Sequence, residues 1–207
     1  MRVAAHLRVA VLCLAALPAV GLAIDALSGP LGANPYPTVI RETGLWSWRF
    51  LLIGLALSPA SALGLRPDAV RWRRVIGLCA AFYAAAHLLA WAKDYGFDLG
   101  FLAAEIAVRP FLALGAASFV LLVPLVLTST RRAARRLGGR GWRRLHALVY
   151  PAFAHDLLTG RLPRSPELLA EATAFAMLLG WRLASWRRYA AALSKKAGRF
   201  MGEQSGP

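Results

Sequence analysis

The sequence has few of the residues that a water-soluble domain needs on its surface. Of its 207 residues only 17% are charged, whereas 58% are hydrophobic. Soluble domains contain about 25% charged and about 45–50% apolar residues. Acidic residues are scarcest, with 10 Asp and Glu against 25 Lys and Arg. These proportions exclude a soluble enzyme and indicate a chain that lies mostly in a membrane.

Cysteine and nucleotide-binding motifs are also scarce. The two cysteines, Cys13 and Cys79, both lie inside apolar segments, where a thiol acts as a small hydrophobic side chain. The sequence has no Cys-x-x-Cys pair, no covalent heme-attachment motif and no phosphate-binding loop. These absences exclude a disulfide framework, a covalently attached heme and a nucleotide-binding domain.

Long apolar stretches follow one another along the chain, each bounded by proline, glycine or charge. They are residues 7–27, 46–65, 72–92, 106–128, 142–158 and 168–186. A membrane span needs about 20 apolar residues, and continuous runs without alternation are typical of helices rather than barrel strands. We expect an all-α membrane protein: a six-helix transmembrane bundle over residues 1–190, with the first stretch retained as a span, and a polar cytoplasmic tail at 191–207.

The basic residues predict the orientation of these spans. With both termini cytoplasmic, 19 of the 25 Lys and Arg fall on the cytoplasmic side, including seven arginines from Arg131 to Arg144. The positive-inside rule favours this arrangement. Because the basic residues cluster at span ends, we interpret them as topology signals and not as a nucleic-acid surface. The arginine-rich loop is also a candidate docking site for an anionic donor or lipid headgroups.

His87 lies deep in the third predicted span, directly after three alanines at positions 84–86. An unpaired imidazole is costly in lipid, so a histidine at this depth is a functional candidate by default. The small alanine side chains leave room beside it for a large, flat group.

The fifth predicted span carries two further histidines, His146 and His155. Spans three and five both enter from the cytoplasmic side. His87 lies thirteen residues beyond Arg74, and His155 lies eleven beyond Arg144. At a rise of 1.5 Å per residue these two depths agree within about 3 Å, whereas His146 is about 16 Å shallower than His87. The spacing predicts that His87 and His155 face each other, and that one metal ion cannot bind both His87 and His146.

Two opposed imidazoles in a helical bundle suit the axial positions of a b-type heme, whose chemistry is one-electron transfer. Zinc normally takes three or four protein ligands, and these spans offer no thiolate partner and few carboxylates beside the histidines. A proton relay through His87 and plain structural hydrogen bonding remain open alternatives. The histidines alone do not decide among the three.

A series of short segments stands out across residues 31–186. They are Asn34-Pro35, Thr43-Gly44, Arg49-Phe50-Leu51-Leu52, Ser58-Pro59, Arg73-Arg74-Val75-Ile76-Gly77-Leu78, His87-Leu88, Arg109-Pro110-Phe111, Leu114-Gly115, Leu127-Thr128-Ser129-Thr130 and residues 142–150. In this order they resemble the ferric-reductase-like transmembrane family, and within it the heme-binding membrane subunits of bacterial periplasmic protein-methionine-sulfoxide reductases. The Leu-Thr-Ser-Thr segment followed by Trp-x-x-Leu-His-x-Leu-Val-Tyr is the most specific match.

The resemblance implies a b-type heme subunit in the bacterial inner membrane. It implies electron transfer to MsrP, a periplasmic molybdopterin-containing reductase that repairs methionine sulfoxide in proteins. The implied donor is a membrane quinone or a cytosolic flavin reductase, and FMN is an implied second cofactor to which no residue can be assigned. The chain is then an electron-transfer subunit and not a self-sufficient enzyme. A proton-coupled transporter and a non-redox membrane anchor are the alternatives.

The resemblance also makes His87 and His146 heme-ligand candidates, with a third histidine farther along span five. Family members place the third one thirteen residues after the Leu-His pair, whereas His155 follows His146 by nine. The difference is about one helical turn, or 6 Å. Nine residues place His146 and His155 on opposite faces of an ideal helix, so a shared site requires a kink such as Pro151 can produce.

Two arginines, Arg49 and Arg109, lie inside apolar segments within about a turn of the predicted outer face. A guanidinium group pairs well with carboxylates, so both are candidate partners of heme propionates. The alternative is that each side chain extends to the interface to reach water.

Overall fold

A computed structural model describes residues 2–65, 72–148, 169–185 and 187. Its regular elements are the α-helices α1 (Arg2–Ser28), α2 (Tyr36–Ala62), α3 (Arg73–Asp94), α4 (Leu99–Val108), α5 (Pro110–Leu127), α6 (Arg131–His146) and α7 (residues 169–185). The prediction of an all-α protein is confirmed for these parts of the chain.

Among the described residues, three helices are long and apolar enough to cross a membrane. They are residues His6–Ser28 of α1, the whole of α3 and the whole of α5. Large apolar side chains such as Leu14 and Leu17 remain exposed along α1. Exposed apolar surface of this extent is typical of contact with lipid.

α2 begins earlier than the predicted span 46–65, at Tyr36, and ends at Ala62. Pro37 lies in its first turn, where the missing N–H costs nothing, and Asn34 Oδ1 accepts a hydrogen bond from the Tyr36 amide at 3.1 Å. The predicted span excludes Arg41 and Glu42 because they are charged. The helix nevertheless includes both, and their side chains form an ion pair at 2.7 Å. The prediction of where this helix starts was therefore wrong.

The predicted span 106–128 is interrupted rather than continuous. Arg109 has an extended backbone (φ −107°, ψ 104°) between α4 and α5, because the ring of Pro110 disfavours helical geometry in the residue before it. Pro110 then begins α5. At the N-terminal end of α4, Asp98 caps the helix by accepting a hydrogen bond from the Phe101 amide at 3.0 Å.

α6 holds the arginine-rich segment and breaks at Gly138, where φ is +67° and ψ is 161°. Glycine adopts this conformation without the Cβ clash that other residues meet. α6 ends at His146 and residues 147–148 form a turn, while the rest of the predicted fifth span from residue 149 on, with Pro151 and His155, lies outside the described residues.

The most extensive contact between helices joins α2 to α3. The two run antiparallel: Ile40 meets His87, Ser47 meets Ala80, and Gly54 faces Ile76. Ser47 Oγ donates to the carbonyl of the fully buried Ala80 at 3.0 Å. Phe50, Ile76, Cys79, Ala80 and Tyr83 form the core between these helices.

α1 and α7 attach to this central pair in different ways. The hydroxyl of buried Tyr83 donates to the Ala15 carbonyl at 2.8 Å and accepts from the Ala19 amide at 3.0 Å. It thus lies between a carbonyl and an amide four residues apart in α1, next to Pro18. α7 packs through Phe175, which is 1% exposed and lies against Trp48 and Leu55 of α2.

Candidate functional site

His87 lies on the side of α3 that faces α2. Its Nδ1 is 2.7 Å from the carbonyl oxygen of Ile40. A carbonyl only accepts hydrogen bonds, so Nδ1 carries the proton and Nε2 keeps its lone pair. Nε2 has no hydrogen-bond partner among the residues that the structure describes. A neutral imidazole held in this way matches a common pattern, in which a metal-binding histidine donates its other N–H to a backbone carbonyl.

Gly44 lies beside this ring, one turn of α2 after Ile40. A Cβ at position 44 would be 3.0 Å from His87 Nδ1 and 3.3 Å from its Cε1. Glycine in a helix interior costs about 1 kcal/mol relative to alanine. The close approach of the imidazole accounts for a glycine here.

His146 lies at the end of α6, in a different environment. Its ring stacks on Trp142 with centroids 4.0 Å apart, and its Nε2 is 3.4 Å from Thr128 Oγ1. The Thr128 hydroxyl donates its proton to the Pro124 carbonyl at 2.6 Å. Oγ1 therefore accepts from His146, which places the proton of that imidazole on Nε2.

The contacts of His87 and His146 within the described residues come from different helices. His87 lies against Ile40 and Gly44 of α2. His146 lies against Trp142 of α6 and against Thr128, the residue that follows α5. The two histidines therefore have different surroundings.

The side chain of Arg49 extends from α2 to α7. Its Nε donates to Glu171 Oε1 at 2.9 Å, and its guanidinium carbon lies 5.2 Å from the centre of the Trp46 ring. Both side chains of the ion pair are mostly buried, at 30% and 22% exposure. The second carboxylate oxygen, Glu171 Oε2, is buried and has no hydrogen-bond partner among the residues that the structure describes. The pair joins the two helices in a largely apolar setting.

Arg109 has a local partner instead. It forms an ion pair with Glu105, with Nε–Oε2 at 2.6 Å, and its side chain is 52% exposed. A second contact joins Arg109 Nη2 to Glu105 Oε1 at 3.3 Å. This fork lies at the break between α4 and α5.

No group of three or more His, Cys, Asp or Glu side chains that could hold a metal ion occurs within the described ranges. A metal held by His87 therefore needs its remaining ligands from a cofactor or from another part of the chain. His155, the predicted partner, lies outside the described residues.

Sequence reasoning missed the Ile40 carbonyl, the closeness of Gly44 and the pairing of Arg49 with Glu171. The carbonyl leaves no trace in a sequence, because every residue has one. Gly44 did leave a signal, since a glycine inside a helix often marks a close approach. Pairing of Arg49 and Glu171 depends on tertiary packing between residues 122 positions apart.

Comparison with known proteins places the chain among membrane components of redox systems. Residues 43–155, which include all three candidate ligands, match the family described as ferric reductase like transmembrane component. The protein-methionine-sulfoxide reductase heme-binding subunit MsrQ of Caulobacter vibrioides is 42% identical over 178 residues, covering 84% of each chain. MsrQ of Rhodospirillum rubrum is also 42% identical over 178 residues, covering 86% of this chain and 85% of the relative.

A relative with another name shares the same region. The magnetosome protein MamZ of Magnetospirillum gryphiswaldense is 37% identical over 165 residues, covering 77% of this chain and 25% of MamZ. No solved structure matches the chain.

Proposed function

Because the chain belongs to the MsrQ family within the ferric-reductase-like transmembrane proteins, we propose that it binds a b-type heme and relays electrons. The route runs across the bacterial inner membrane to MsrP, the periplasmic molybdopterin-containing reductase that repairs methionine sulfoxide in proteins. When bound, the heme supplies one-electron transfer at its iron. The chain's own residues bind the heme, orient it and separate it from water.

The observation that carries the proposal is the state of His87. Its Nδ1–H is held by the Ile40 carbonyl, and its Nε2 lone pair is directed away from that bond. A proton relay requires a histidine that exchanges protons on both nitrogens, whereas a ligand requires one nitrogen fixed and the other available. The hydrogen bond to a backbone carbonyl favours the ligand over the relay.

For the second axial ligand we propose His155. His146 uses its Nε2 on Thr128, and its spacing from Arg144 makes it about 16 Å shallower than His87. Its role in this proposal is at the cytoplasmic end, where it binds a second heme or contacts the electron donor. Electrons that enter from the cytosol need such an intermediate carrier.

Arg109 and Arg49 are the proposed partners of the heme propionates. Arg109 lies at an exposed break between helices, which suits a contact with a polar group at the membrane surface. Arg49 gives only its Nε to Glu171. Its terminal nitrogens are the ones that would bind a propionate.

The proposed topology has six spans over residues 1–190, both termini in the cytoplasm and a polar tail at 191–207. α1, α3 and α5 supply three of these spans. Residues 142–158, α2 and α7 supply the other three.

The electron donor remains a proposal that rests on the family alone. A membrane quinone and a cytosolic flavin reductase are the two candidates, and FMN is a further cofactor without assigned residues. The arginine-rich helix α6 provides a positively charged surface for an anionic donor.

The test is optical. Protein purified from heme-replete cells should be red, with a Soret band and split visible bands after reduction by dithionite. On mixing with active MsrP and methionine sulfoxide in a stopped-flow instrument, the reduced spectrum should return to the oxidised one. A colourless, stably folded preparation contradicts heme binding and leaves the transporter or the anchor. A protein that stays reduced in the presence of active MsrP and substrate contradicts the electron route.

A further inference from the structure

Gly44 and the Ile40 carbonyl surround one edge of the His87 ring. The Nδ1–O distance of 2.7 Å is short for a neutral N–H···O bond. The ring also lies close enough to Gly44 that a methyl group there would approach three of its atoms, Nδ1, Cε1 and Cγ, within 3.8 Å. Any side chain at position 44 would push the ring from this position by a few tenths of an ångström.

The Ile40 carbonyl is itself held in place. In the helical ladder it pairs with the amide of residue 44, and the Thr43 hydroxyl lies 3.2 Å away from it. The hydroxyl makes its shorter bond, 2.6 Å, to the Val39 carbonyl. The oxygen that receives the His87 proton is therefore part of a rigid helix and not of a loop.

We propose that Gly44 and the Ile40 carbonyl act together as a positioning device for His87. They hold the imidazole as the Nδ1–H tautomer and fix its rotation, so that Nε2 presents its lone pair in one direction. The inference rests on the proposed function, since it requires His87 to be the iron ligand. It adds that Gly44, which has no side chain, influences both the affinity for heme and the midpoint potential of the heme.

The physical reason is that a hydrogen bond from Nδ1–H makes the imidazole a stronger base. A stronger ligand favours ferric over ferrous iron and lowers the midpoint potential. Losing this bond weakens metal binding by about 10–100-fold in metal sites of this kind. A misplaced ring also changes the ligand field of the iron, which is visible by spectroscopy.

The experiment compares Gly44→Ala with Gly54→Ala in the full-length protein. Both glycines lie inside α2 and gain the same helix propensity, but a Cβ at position 54 meets only Ile76 Cγ2 at an ordinary 3.7 Å. We expect Gly44→Ala to lose heme to excess apomyoglobin about 10–100-fold more readily. Its midpoint potential should rise, and its low-spin ferric electron paramagnetic resonance signal should shift. Gly54→Ala should match the unsubstituted protein in all three measurements.

His87→Ala separates failure of the inference from failure of the proposed function. If His87→Ala keeps its heme, His87 is not the ligand and the proposed function is wrong at this residue. If His87→Ala loses its heme while Gly44→Ala behaves like Gly54→Ala, only the positioning inference is overturned.

A double variant covers the case in which Gly44→Ala folds poorly. In the His87→Ala background the added methyl group meets no ring, so Gly44→Ala should not reduce the melting temperature there. A loss of stability that is equal with and without the His87 ring overturns the inference, because the effect then comes from α2 itself and not from the imidazole.

Discussion

The two histidines near opposite ends of α3 are held in opposite ways. His87 gives its Nδ1–H to a backbone carbonyl and has Nε2 without a partner among the described residues. His146 directs Nε2 to the Thr128 hydroxyl and stacks on Trp142. In the sequence they differ in depth, since His146 follows Arg144 by two residues and His87 follows Arg74 by thirteen. In the structure the difference lies in which ring nitrogen is engaged, Nδ1 in His87 and Nε2 in His146.

The largest expected effect comes from removing each imidazole in turn. His87→Ala should remove the Soret absorbance of the heme proposed at this residue, because no other described side chain offers a nitrogen at that position. His146→Ala should keep most of it, since its Nε2 is engaged by Thr128. Heme per protein, measured by the pyridine hemochrome assay, checks both variants.

His155→Ala extends the same test to the proposed second ligand and should remove the same low-spin signal as His87→Ala. If His155→Ala leaves the spectrum unchanged while His146→Ala abolishes it, the contrast between the two histidines is wrong. Span five then has a different register from the one its spacing predicts.

The next largest effects concern the ion pairs Arg49–Glu171 and Arg109–Glu105, which should contribute differently to the free energy of unfolding. Arg49→Ala should lower the free energy of unfolding by about 1–3 kcal/mol, which lies between the values for exposed and buried pairs. Glu171 is left with both oxygens unpaired in an apolar setting. Arg109→Ala breaks an exposed i,i+4 pair and should cost about 0.5 kcal/mol or less.

Chemical unfolding in detergent, with the matching Glu171→Ala and Glu105→Ala variants, gives the coupling free energy of each pair. Equal coupling free energies for the two pairs contradict a supporting role for the contact between α2 and α7.

Removing the Tyr83 hydroxyl should have a smaller effect on stability, at the contact between α1 and α3. Tyr83→Phe removes the hydroxyl that joins the Ala15 carbonyl and the Ala19 amide to α3, at a cost of about 1 kcal/mol. Tyr95→Phe is the matched control, because that ring is 41% exposed, and it should change stability by less than about 0.5 kcal/mol. Thermal unfolding followed by circular dichroism distinguishes them, and a Tyr95→Phe effect as large as that of Tyr83→Phe rules out the bridge as the cause.

The smallest effect concerns the surface near the end of α3 that lies closer to His87. Asp98→Asn keeps the cap on α4, since asparagine caps a helix as well as aspartate does, but it removes a negative charge. Together with Asp94→Asn it should slow reoxidation by MsrP on the order of a few-fold at low salt. The difference should vanish near 0.1 M salt, where charges are screened over about 10 Å. Slowing that persists at high salt indicates direct contact instead of steering.

The sequence predicted the helices better than their ends. The apolar runs located α1, α3 and α5, because such runs require internally satisfied backbone. The start of α2 at Tyr36 was missed because Arg41 and Glu42 lower the local hydropathy, although a helix tolerates charged side chains that pair. The break at Arg109 was missed although Pro110 carried the signal.

For the site, the sequence singled out His87 from its depth and the matching family segments. It did not show the tautomer of His87, nor that Gly44 and Ile40 lie against it, since both depend on how α2 is rotated toward α3. The depth difference between His87 and His146 came from the 1.5 Å rise per residue alone and stays a prediction.

The hydrogen bonds that join α2 to α3 affect the order in which the protein is built. His87 and Ser47 donate to carbonyls that already belong to a helical ladder, so neither helix has to open to bind the other. The chain is made from its N-terminus, and this hairpin is complete once residue 94 has been synthesised. The residues that hold the His87 ring, Ile40 and Gly44, are therefore synthesised together with it before the segment with His146 and His155.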